Sequence, residues 1–446
     1  MIASEPSAGR GGPTRGSTAS SRAGRVPSGA NFDLSEVDAD IDVEAVGLVA
    51  QDDARSRGTI YRPTGHRPTV GVHLMHPRTD QSQNYNILPL VRAGCMVLGR
   101  AGRWVNNDIA TEHERLALDV AAGVATLRAR GCETVVLLGN SGGGTLAAFY
   151  QSQAAVAASD RLTHTAAGDP LTLAEADLPP ADALVLIGAH SGEGHALGKW
   201  IDPSVLAEDD PFGVDPSLDM YDEVNGFRTP PQPSRYDPTF LTRYQAAQRE
   251  RVARLDAIAR ERVRRRRDWA SAAVGSSGGE RMRLERKAAV VHRMMVYRTM
   301  ADPAFTDLSI EPDDRVVSAY NNHPRPDLVN YGMGVAGVLT PEAWLSTWSA
   351  LSTHAKTTEC LSAVMVPTLV VHYAGDVITR LSEASSFVSS SAAADKSMVT
   401  VRRADHYGFT INPDGSRSGR TAEGTAAVVN WLGDRFGTAE SRPAAV

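Results

Sequence analysis

The sequence of 446 residues has few cysteines, no long apolar run and only a weak excess of charge. Its three cysteines, Cys95, Cys132 and Cys360, have no metal-binding spacing and leave one over in any disulfide pairing, which favours a reducing compartment. No stretch approaches the ~20 apolar residues of a membrane span. The N-terminus lacks the basic-then-apolar layout of a signal peptide. We therefore expect a cytoplasmic protein with no membrane partner.

The charge balance gives little support for nucleic acid as a partner. The formal net charge is −6 and 22% of the residues are charged, which is too weak an imbalance to imply a polyanionic or membrane partner. The basic run at 261–269, ERVRRRRDW, has acidic residues interspersed nearby, as on a solvated helix face. That face could instead form the subunit contact of a homodimer.

The chain divides by composition and periodicity. Residues 1–35 are rich in Gly, Ser, Ala, Pro and Arg with almost no apolar periodicity, which predicts a disordered tail without a site. Short apolar runs alternate with helix-like segments over 36–190 and again over 363–446. This alternation predicts one α/β domain with a parallel sheet covered on both faces.

The alternation stops between the two parts of this domain. Residues 191–362 contain a Pro- and Asp-rich loop region and then long helical segments, expected at roughly 239–270 and 280–301. An insertion of this kind leaves and re-enters the sheet beside neighbouring strand ends. We therefore expect 191–362 to form a cap, or lid, over a site.

A candidate nucleophile lies at residues 139–143, Gly-Asn-Ser-Gly-Gly, which fit the pattern G-x-S-x-G. A strand-like run, TVVLL, precedes the motif and a helix-like run, TLAAFYQSQAA, follows it. In this context the serine occupies a strained strand-to-helix turn that needs glycine on either side. The alternative is a Gly-rich turn that binds a phosphate or only turns tightly, but the P-loop lysine and a second dinucleotide-type glycine set are missing. The pattern recurs at 275–279 between two charged helices with no strand before it, and we interpret that copy as a linker.

A neutral serine needs a base that is held in place by a carboxylate. The two apolar strands after the insertion each end in a suitable residue. The run TLVVHYAGD ends at Asp376, and MVTVRRADHYG carries His406 just past its strand. Asp405 competes for the acid role, but as the chain neighbour of His406 it is badly placed to reach the far side of that ring. The predicted triad is Ser141, Asp376 and His406.

The segments GNSGG, PTLVVHYAGD and ADHYGF resemble the nucleophile elbow, acid loop and histidine loop of the α/β-hydrolase superfamily. The resemblance covers about 40–190 and 363–440. It implies a mostly parallel central sheet flanked by helices, with a large, mainly helical cap inserted after the sixth strand. It also implies a serine hydrolase that needs no cofactor and no metal, with the nucleophile at Ser141, the acid at Asp376 and the base at His406. Tyr373 departs from the family, in which a glycine is common at this place in the acid loop.

The oxyanion loop also departs from the family. Many members have His-Gly after the third strand, whereas this chain has His76-Pro77-Arg78. Because proline has no N–H, the expected oxyanion donors are the backbone N–H groups of Gly142 and Arg78, each worth ~3 kcal/mol of transition-state stabilisation. His76 itself could shape this loop or simply pack there.

Aromatic residues and a methionine of the cap, with His76, could line a pocket for a bulky, largely apolar organic molecule; they are Tyr320, Tyr331, Met333, Trp344 and Trp348. Each could equally be a core residue that holds the cap to the sheet. His190 and His195 flank the segment SGEG after the sixth strand, but no third ligand is visible and a metal site is not expected.

The expected reaction is hydrolysis of a carboxylic ester, a lactone or an amide through an acyl-serine intermediate. The same triad could instead hydrolyse a carbon–carbon bond beside a ketone, or transfer the acyl group to an alcohol or amine. A non-catalytic ligand-binding protein is the alternative outside this class, because a fold does not fix an activity.

Overall fold

The computed structural model describes residues 31–105, 108–332 and 334–437. The predicted tail therefore lies outside the described residues up to position 30. From there on the chain contacts the domain: the ring of Phe32 packs edge-on against Tyr61 at 5.9 Å, and its N–H donates to the carbonyl of Gln83. In the described residues, no helix is both long and apolar enough to cross a membrane.

Short aliphatic and β-branched runs form the strands of the structure. Their bounds are β1 (Ile41–Val49), β2 (Arg55–Pro63), β3 (Val70–Leu74), β4 (Met96–Arg100), β5 (Thr134–Asn140), β6 (Ala183–Ile187), β7 (Met294–Met295), β8 (Val338–Leu339), β9 (Thr368–Tyr373), β10 (Lys396–Val401), β11 (Phe409–Ile411) and β12 (Arg417–Arg420).

Within the described ranges, eight of these strands form the main sheet in the order β1-β2-β4-β3-β5-β6-β9-β10. The β1–β2 and β2–β4 pairs are antiparallel, and all the other neighbours are parallel. Strands β3, β4, β6 and β9 are buried along their whole length, as expected for parallel strands covered on both faces. The predicted mostly parallel sheet is thus confirmed.

Helices cover both faces of this sheet. Their bounds are α1 (Ile87–Arg92), α2 (Leu116–Ala129), α3 (Gly142–Ala155), α4 (Glu193–Trp200), α5 (Pro238–Val274), α6 (Gly278–Ala288), α7 (Pro326–Tyr331), α8 (Pro341–Ala343), α9 (Thr357–Leu361), α10 (Leu381–Ser390) and α11 (Glu423–Phe436). Successive residues of β5 serve opposite faces: Leu137 packs in the cluster with α2 and α3, and Leu138 packs in the cluster with α1 and α11.

The segment between β6 and β9 carries α4 to α9. Its longest helix, α5, begins after Asp237, whose side chain accepts a hydrogen bond from the N–H of Thr239 at 2.8 Å. The second long helix ends at Ala288, so the expectation of a helix to 301 was wrong. Beyond it, 294–295 pair with 338–339, because a tertiary strand contact outweighs the local helical preference there.

The parallel strands bring their carboxyl ends to one edge of the sheet. The residues that follow β3, β5, β6, β9 and β10 are therefore neighbours in space, although they are spread over more than 300 positions of sequence. The segments 75–78, 141–144, 188–193, 374–380 and 402–408 meet there, and polar side chains from each of them form the site described next.

Candidate active site

Ser141 occupies a strained turn between β5 and α3. Its backbone has φ 56° and ψ −126°, a region that non-glycine residues rarely adopt and that costs roughly 1–3 kcal/mol. Its N–H donates to the carbonyl of Ile187 at 3.1 Å, which anchors the turn to β6. A Cβ on Gly143 would lie 2.6 Å from the carbonyl oxygen of Met75, and a Cβ on Gly139 would collide with the backbone of Gly143. The glycines are therefore required by the close packing of the turn.

The structure brings Ser141, His406 and Asp376 together as a hydrogen-bonded relay. His406 Nε2 lies 2.9 Å from Ser141 Oγ, and His406 Nδ1 lies 2.6 Å from Asp376 Oδ2. Asp376 is completely buried and also accepts hydrogen bonds from the N–H of Ile378 and the hydroxyl of Thr379, both at 2.7 Å. These bonds fix the carboxylate so that it faces the far side of the ring from the serine.

The charges in this relay stabilise each other. Burial by itself raises the pKa of Asp376, but the adjacent His406 and the hydrogen bonds from residues 378 and 379 outweigh burial and leave the pKa below its ordinary value. Burial by itself lowers the pKa of His406, but the charge and hydrogen bond of Asp376 outweigh it and raise the pKa above its ordinary value. The protonated form of the His406 ring is therefore stabilised by the neighbouring carboxylate.

Asp405, the competing acid, has other partners. Its Oδ1 accepts from the N–H groups of Tyr407 and Phe409, both at 2.9 Å, and its Oδ2 forms an ion pair with Arg417. These contacts hold the shape of the loop that carries His406. The carboxylate that hydrogen-bonds the His406 ring is that of Asp376.

The proposed oxyanion donors differ in their surroundings. Gly142 is the first residue of α3, so its N–H has no acceptor within the helix. The N–H of Arg78 instead donates to His76 Nδ1 at 3.1 Å, and the N–H of Thr79 also approaches this nitrogen at 3.3 Å. The structure thus gives the Arg78 N–H a partner on the protein.

A buried carboxylate that sequence reasoning missed lies beside Gly142. Glu193 Oε1 accepts from Arg78 Nε at 3.1 Å, and its Oε2 lies 3.7 Å from His190 Nε2. Burial by itself raises the pKa of Glu193, but Arg78 and the neighbouring histidines outweigh it and lower the pKa to about 2. The signal for this residue was its position in SGEG, just past β6 at the same sheet edge.

Two tyrosines lie against the ring of His406: Tyr320, which was predicted as a possible pocket residue, and Tyr407, which was not predicted for the site. The Tyr407 ring is 4.9 Å from the His406 ring, and Tyr320, from the segment between β6 and β9, is 6.3 Å from it. The two tyrosine hydroxyls hydrogen-bond to each other. This segment therefore contributes directly to the surroundings of the triad.

The predicted pocket residues occupy different environments. His76 lies in the site, and Trp348 is buried with its ring 5.0 Å from the Arg78 guanidinium. Trp344 is a core residue whose Nε1 donates to Asp256 on α5 at 2.8 Å. Tyr331 is 49% exposed and packs under the guanidinium of Arg298. Of Tyr331, Trp344 and Trp348, Trp348 is the one in contact with a residue of the site, and Met333 lies outside the described residues.

The arrangement can activate a serine hydroxyl and carry its proton. Among the described residues, no group of three His, Cys, Asp or Glu side chains lies close enough together to hold a metal ion. His190 faces Glu193, and no hydrogen bond to the buried Nδ1 of His195 is present in the described part of the chain.

No family model matches the sequence, and no curated protein matches it. Solved structures do align with it over most of its length. Est1E from Butyrivibrio proteoclasticus aligns with a TM-score of 0.43 and 10% identity, over 88% of this chain and 99% of that chain. The esterase domain of a Rhodothermus marinus protein aligns with a TM-score of 0.38 and 11% identity, over 88% and 97%. The α/β hydrolase GrgF from a Penicillium species aligns with a TM-score of 0.39 and 11% identity, over 82% and 91%.

Similarities of this strength do not define an activity, and the fold is established by the chain's own topology. The sheet order, with its antiparallel β2 beside β4, places the turn after β5 at the centre of the carboxyl edge. The loops after β9 and β10 meet that turn from one side. The chain has the α/β-hydrolase fold.

Proposed function

We propose that the protein is a serine hydrolase that cleaves a carboxylic ester, a lactone or an amide through an acyl-enzyme on Ser141. The observation that carries the proposal is the unbroken relay from Ser141 Oγ through His406 to Asp376, at 2.9 and 2.6 Å, on a strained elbow. A non-catalytic protein has no need to hold a serine in this conformation at a cost of roughly 1–3 kcal/mol.

In the first half of the reaction, Ser141 Oγ attacks the carbonyl carbon while its proton passes to His406 Nε2. The negative charge on the carbonyl oxygen is held by N–H donors at the start of α3. The tetrahedral intermediate then expels the alcohol or amine, which takes the proton from His406. Asp376 stays ionised throughout and stabilises the imidazolium.

In the second half, His406 takes a proton from a water molecule as that water attacks the acyl group on Ser141. The serine regains its proton from His406 when the carboxylic acid leaves. The raised pKa of His406 matches this alternating role, since the ring must accept a proton and then give it back near neutral pH.

The substrate is expected to be a bulky, largely apolar small molecule. Trp348 and Tyr320 both reach the site from the segment between β6 and β9, and this segment also makes a buried ion pair between Asp302 and Arg380 on the acid loop. A site bounded by such a segment favours an enclosed small molecule over an exposed polymer.

A fluorophosphonate probe tests the proposal, with the labelled peptide identified by mass spectrometry. We expect one adduct on Ser141 in the wild type, no adduct in Ser141→Ala and weak labelling in His406→Ala. Ser277→Ala, in the second copy of the motif, is the matched control and should label like the wild type, because Ser277 is the residue before α6 on a helical hairpin. A folded wild-type protein that fails to label, or that labels elsewhere, contradicts the proposal and favours a ligand-binding role.

Hydrolysis of p-nitrophenyl esters of increasing acyl length then measures turnover. Product analysis with added alcohol or amine separates hydrolysis from acyl transfer, and an assay with a β-diketone separates both from carbon–carbon bond hydrolysis.

A further inference from the structure

The ring of His76 has a defined orientation in the loop after β3. Its Nδ1 accepts hydrogen bonds from the backbone N–H groups of Arg78 and Thr79, at 3.1 and 3.3 Å. A ring nitrogen that accepts hydrogen bonds carries no proton, so a neutral His76 holds its proton on Nε2. Burial lowers the pKa of His76 to about 3, with a partly opposing effect of Glu193, so that the ring is neutral at physiological pH.

The Nε2–H of His76 lies beside the first turn of α3. A Cβ built on Gly142 would be 3.0 Å from His76 Nε2. Since the amide nitrogen of a residue is about 2.5 Å from its Cβ position, the Gly142 nitrogen and His76 Nε2 are within about 5.5 Å of each other. Two donors at this separation can both reach one oxygen placed between them. Among the described residues, no protein acceptor is hydrogen-bonded to His76 Nε2.

The backbone N–H of Arg78 is in a different position. It donates to His76 Nδ1, and using it for an oxyanion would break that bond. His76 therefore provides a side-chain donor in place of a backbone donor of the same loop. Its Nδ1 accepts the N–H groups of Arg78 and Thr79, and its Nε2–H lies beside Gly142.

We propose that the Nε2–H of His76 is a catalytic hydrogen-bond donor to the oxyanion, together with the backbone N–H of Gly142 and in place of the backbone N–H of Arg78. The inference rests on the proposed serine hydrolase function and names a further residue of that site. A neutral donor of this kind strengthens its bond as charge develops on the substrate oxygen, which stabilises the transition state more than the ground state.

The neighbouring carboxylate does not prevent this role because it has another partner. Glu193 lies on the same side of Gly142 as His76, but its Oε1 accepts from Arg78 Nε at 3.1 Å. Arg78 thus acts as a positioning residue that binds the acceptor which could otherwise take the Nε2–H.

Two substitutions separate the donor from the loop-holding role. His76→Gln keeps an amide N–H near the position of Nε2 and removes the acceptor at the position of Nδ1. His76→Asn does the reverse, because its amide reaches only as far as Nδ1. If His76 is the donor, the Asn variant loses about 10²–10³-fold in kcat with little change in KM, and the Gln variant retains clearly more activity. If the ring only holds the loop, the Asn variant is the more active one, which overturns the inference.

Binding of a transition-state analogue gives a second readout. A boronic acid or trifluoromethyl ketone that adds to Ser141 should bind about 10²–10³-fold more weakly to the Asn variant than to the wild type. A substrate-shaped ketone that forms no adduct should bind both about equally. Equal affinity of the analogue for both proteins would refute the donor role.

Wild-type protein alone gives a test that does not depend on variants folding. ¹⁵N NMR of the histidine rings, assigned from through-space contacts and from the signals that change when the unlabelled analogue binds, reports the tautomer of His76. We expect protonated Nε2 and a downfield shift of its proton on binding the boronic acid. Protonated Nδ1 overturns the inference. These outcomes are distinct from failure of the proposed function, which is seen when wild-type Ser141 does not react with the fluorophosphonate.

Discussion

Replacing Asp376 with asparagine removes the charge that holds the base, and the structure sets the size of the effect. The carboxylate is fully buried, 2.6 Å from His406 Nδ1, and accepts two further hydrogen bonds from residues 378 and 379. An asparagine amide fits the same space, but if its oxygen takes the place of Oδ1 and keeps the bond from the N–H of Ile378, its N–H₂ takes the place of Oδ2 and faces Nδ1. The ring then holds its proton on Nε2 and can no longer accept the proton of Ser141.

We expect Asp376→Asn to lower kcat by about 10⁴, which corresponds to roughly 5.5 kcal/mol of activation free energy, with a smaller effect on KM. The assay is the initial rate of p-nitrophenyl ester hydrolysis, with circular dichroism to confirm that the variant is folded. Asp405→Asn is the matched control: it keeps an acceptor for the N–H groups of residues 407 and 409 and loses only the ion pair with the partly exposed Arg417. Its kcat should stay within about tenfold of the wild type. A larger loss in Asp405→Asn than in Asp376→Asn would refute the assignment of the acid.

Two further predictions use the same assay. The pKa of His406 is raised mainly by Asp376 against the opposing effect of burial. The acidic limb of kcat/KM should therefore have its midpoint above the ordinary histidine value of about 6.5, and activity should rise with pH as the ring loses its proton. A midpoint below that value would contradict the relay. Gly142→Ala should lose at least about 10²-fold in kcat, because its Cβ would collide with Glu193 Oε1 and lie 3.0 Å from His76 Nε2. The control is Gly279→Ala, where a Cβ meets nothing within 4 Å and wild-type activity should be kept. Equal activity of the two variants would show that the space beside Gly142 is not part of the site.

Much of the architecture could be predicted because it is encoded by residues close together in sequence. Alternating apolar and helical periodicity predicted the parallel sheet, and the strand–glycine–helix context singled out Ser141 over the second copy of its motif. That copy does join two helices: α5 ends at Val274 and α6 begins at Gly278. The second long helix was predicted too long, since the pairing of 294–295 with 338–339 depends on a contact across more than 40 positions.

The environment of the site was harder to predict because it depends on contacts between distant segments. The position of Ser141 and His406 in the chain suggested their roles, but only the tertiary structure brings their atoms to 2.9 Å across 265 positions. The sequence favoured Asp376 over Asp405, which is the chain neighbour of His406, and the structure shows the contacts themselves: Asp376 hydrogen-bonds the ring, and Asp405 accepts from the N–H groups of residues 407 and 409. Glu193 was missed for the same reason, because its local sequence does not record which distant side chains it contacts. Tyr320 was predicted as a possible pocket residue, without its contact with His406.

In the oxyanion loop, too, the sequence determines one part of the site and the tertiary structure determines another. From the sequence, the lack of an N–H on Pro77 excluded one backbone donor and left Arg78 as the expected one. The tertiary structure decided the rest, because the ring of His76 turns back to accept the Arg78 N–H and its other nitrogen faces Gly142. Sequence determines which groups can donate, since that is a property of each residue; the fold determines which of them are already bonded, since that depends on orientation in space.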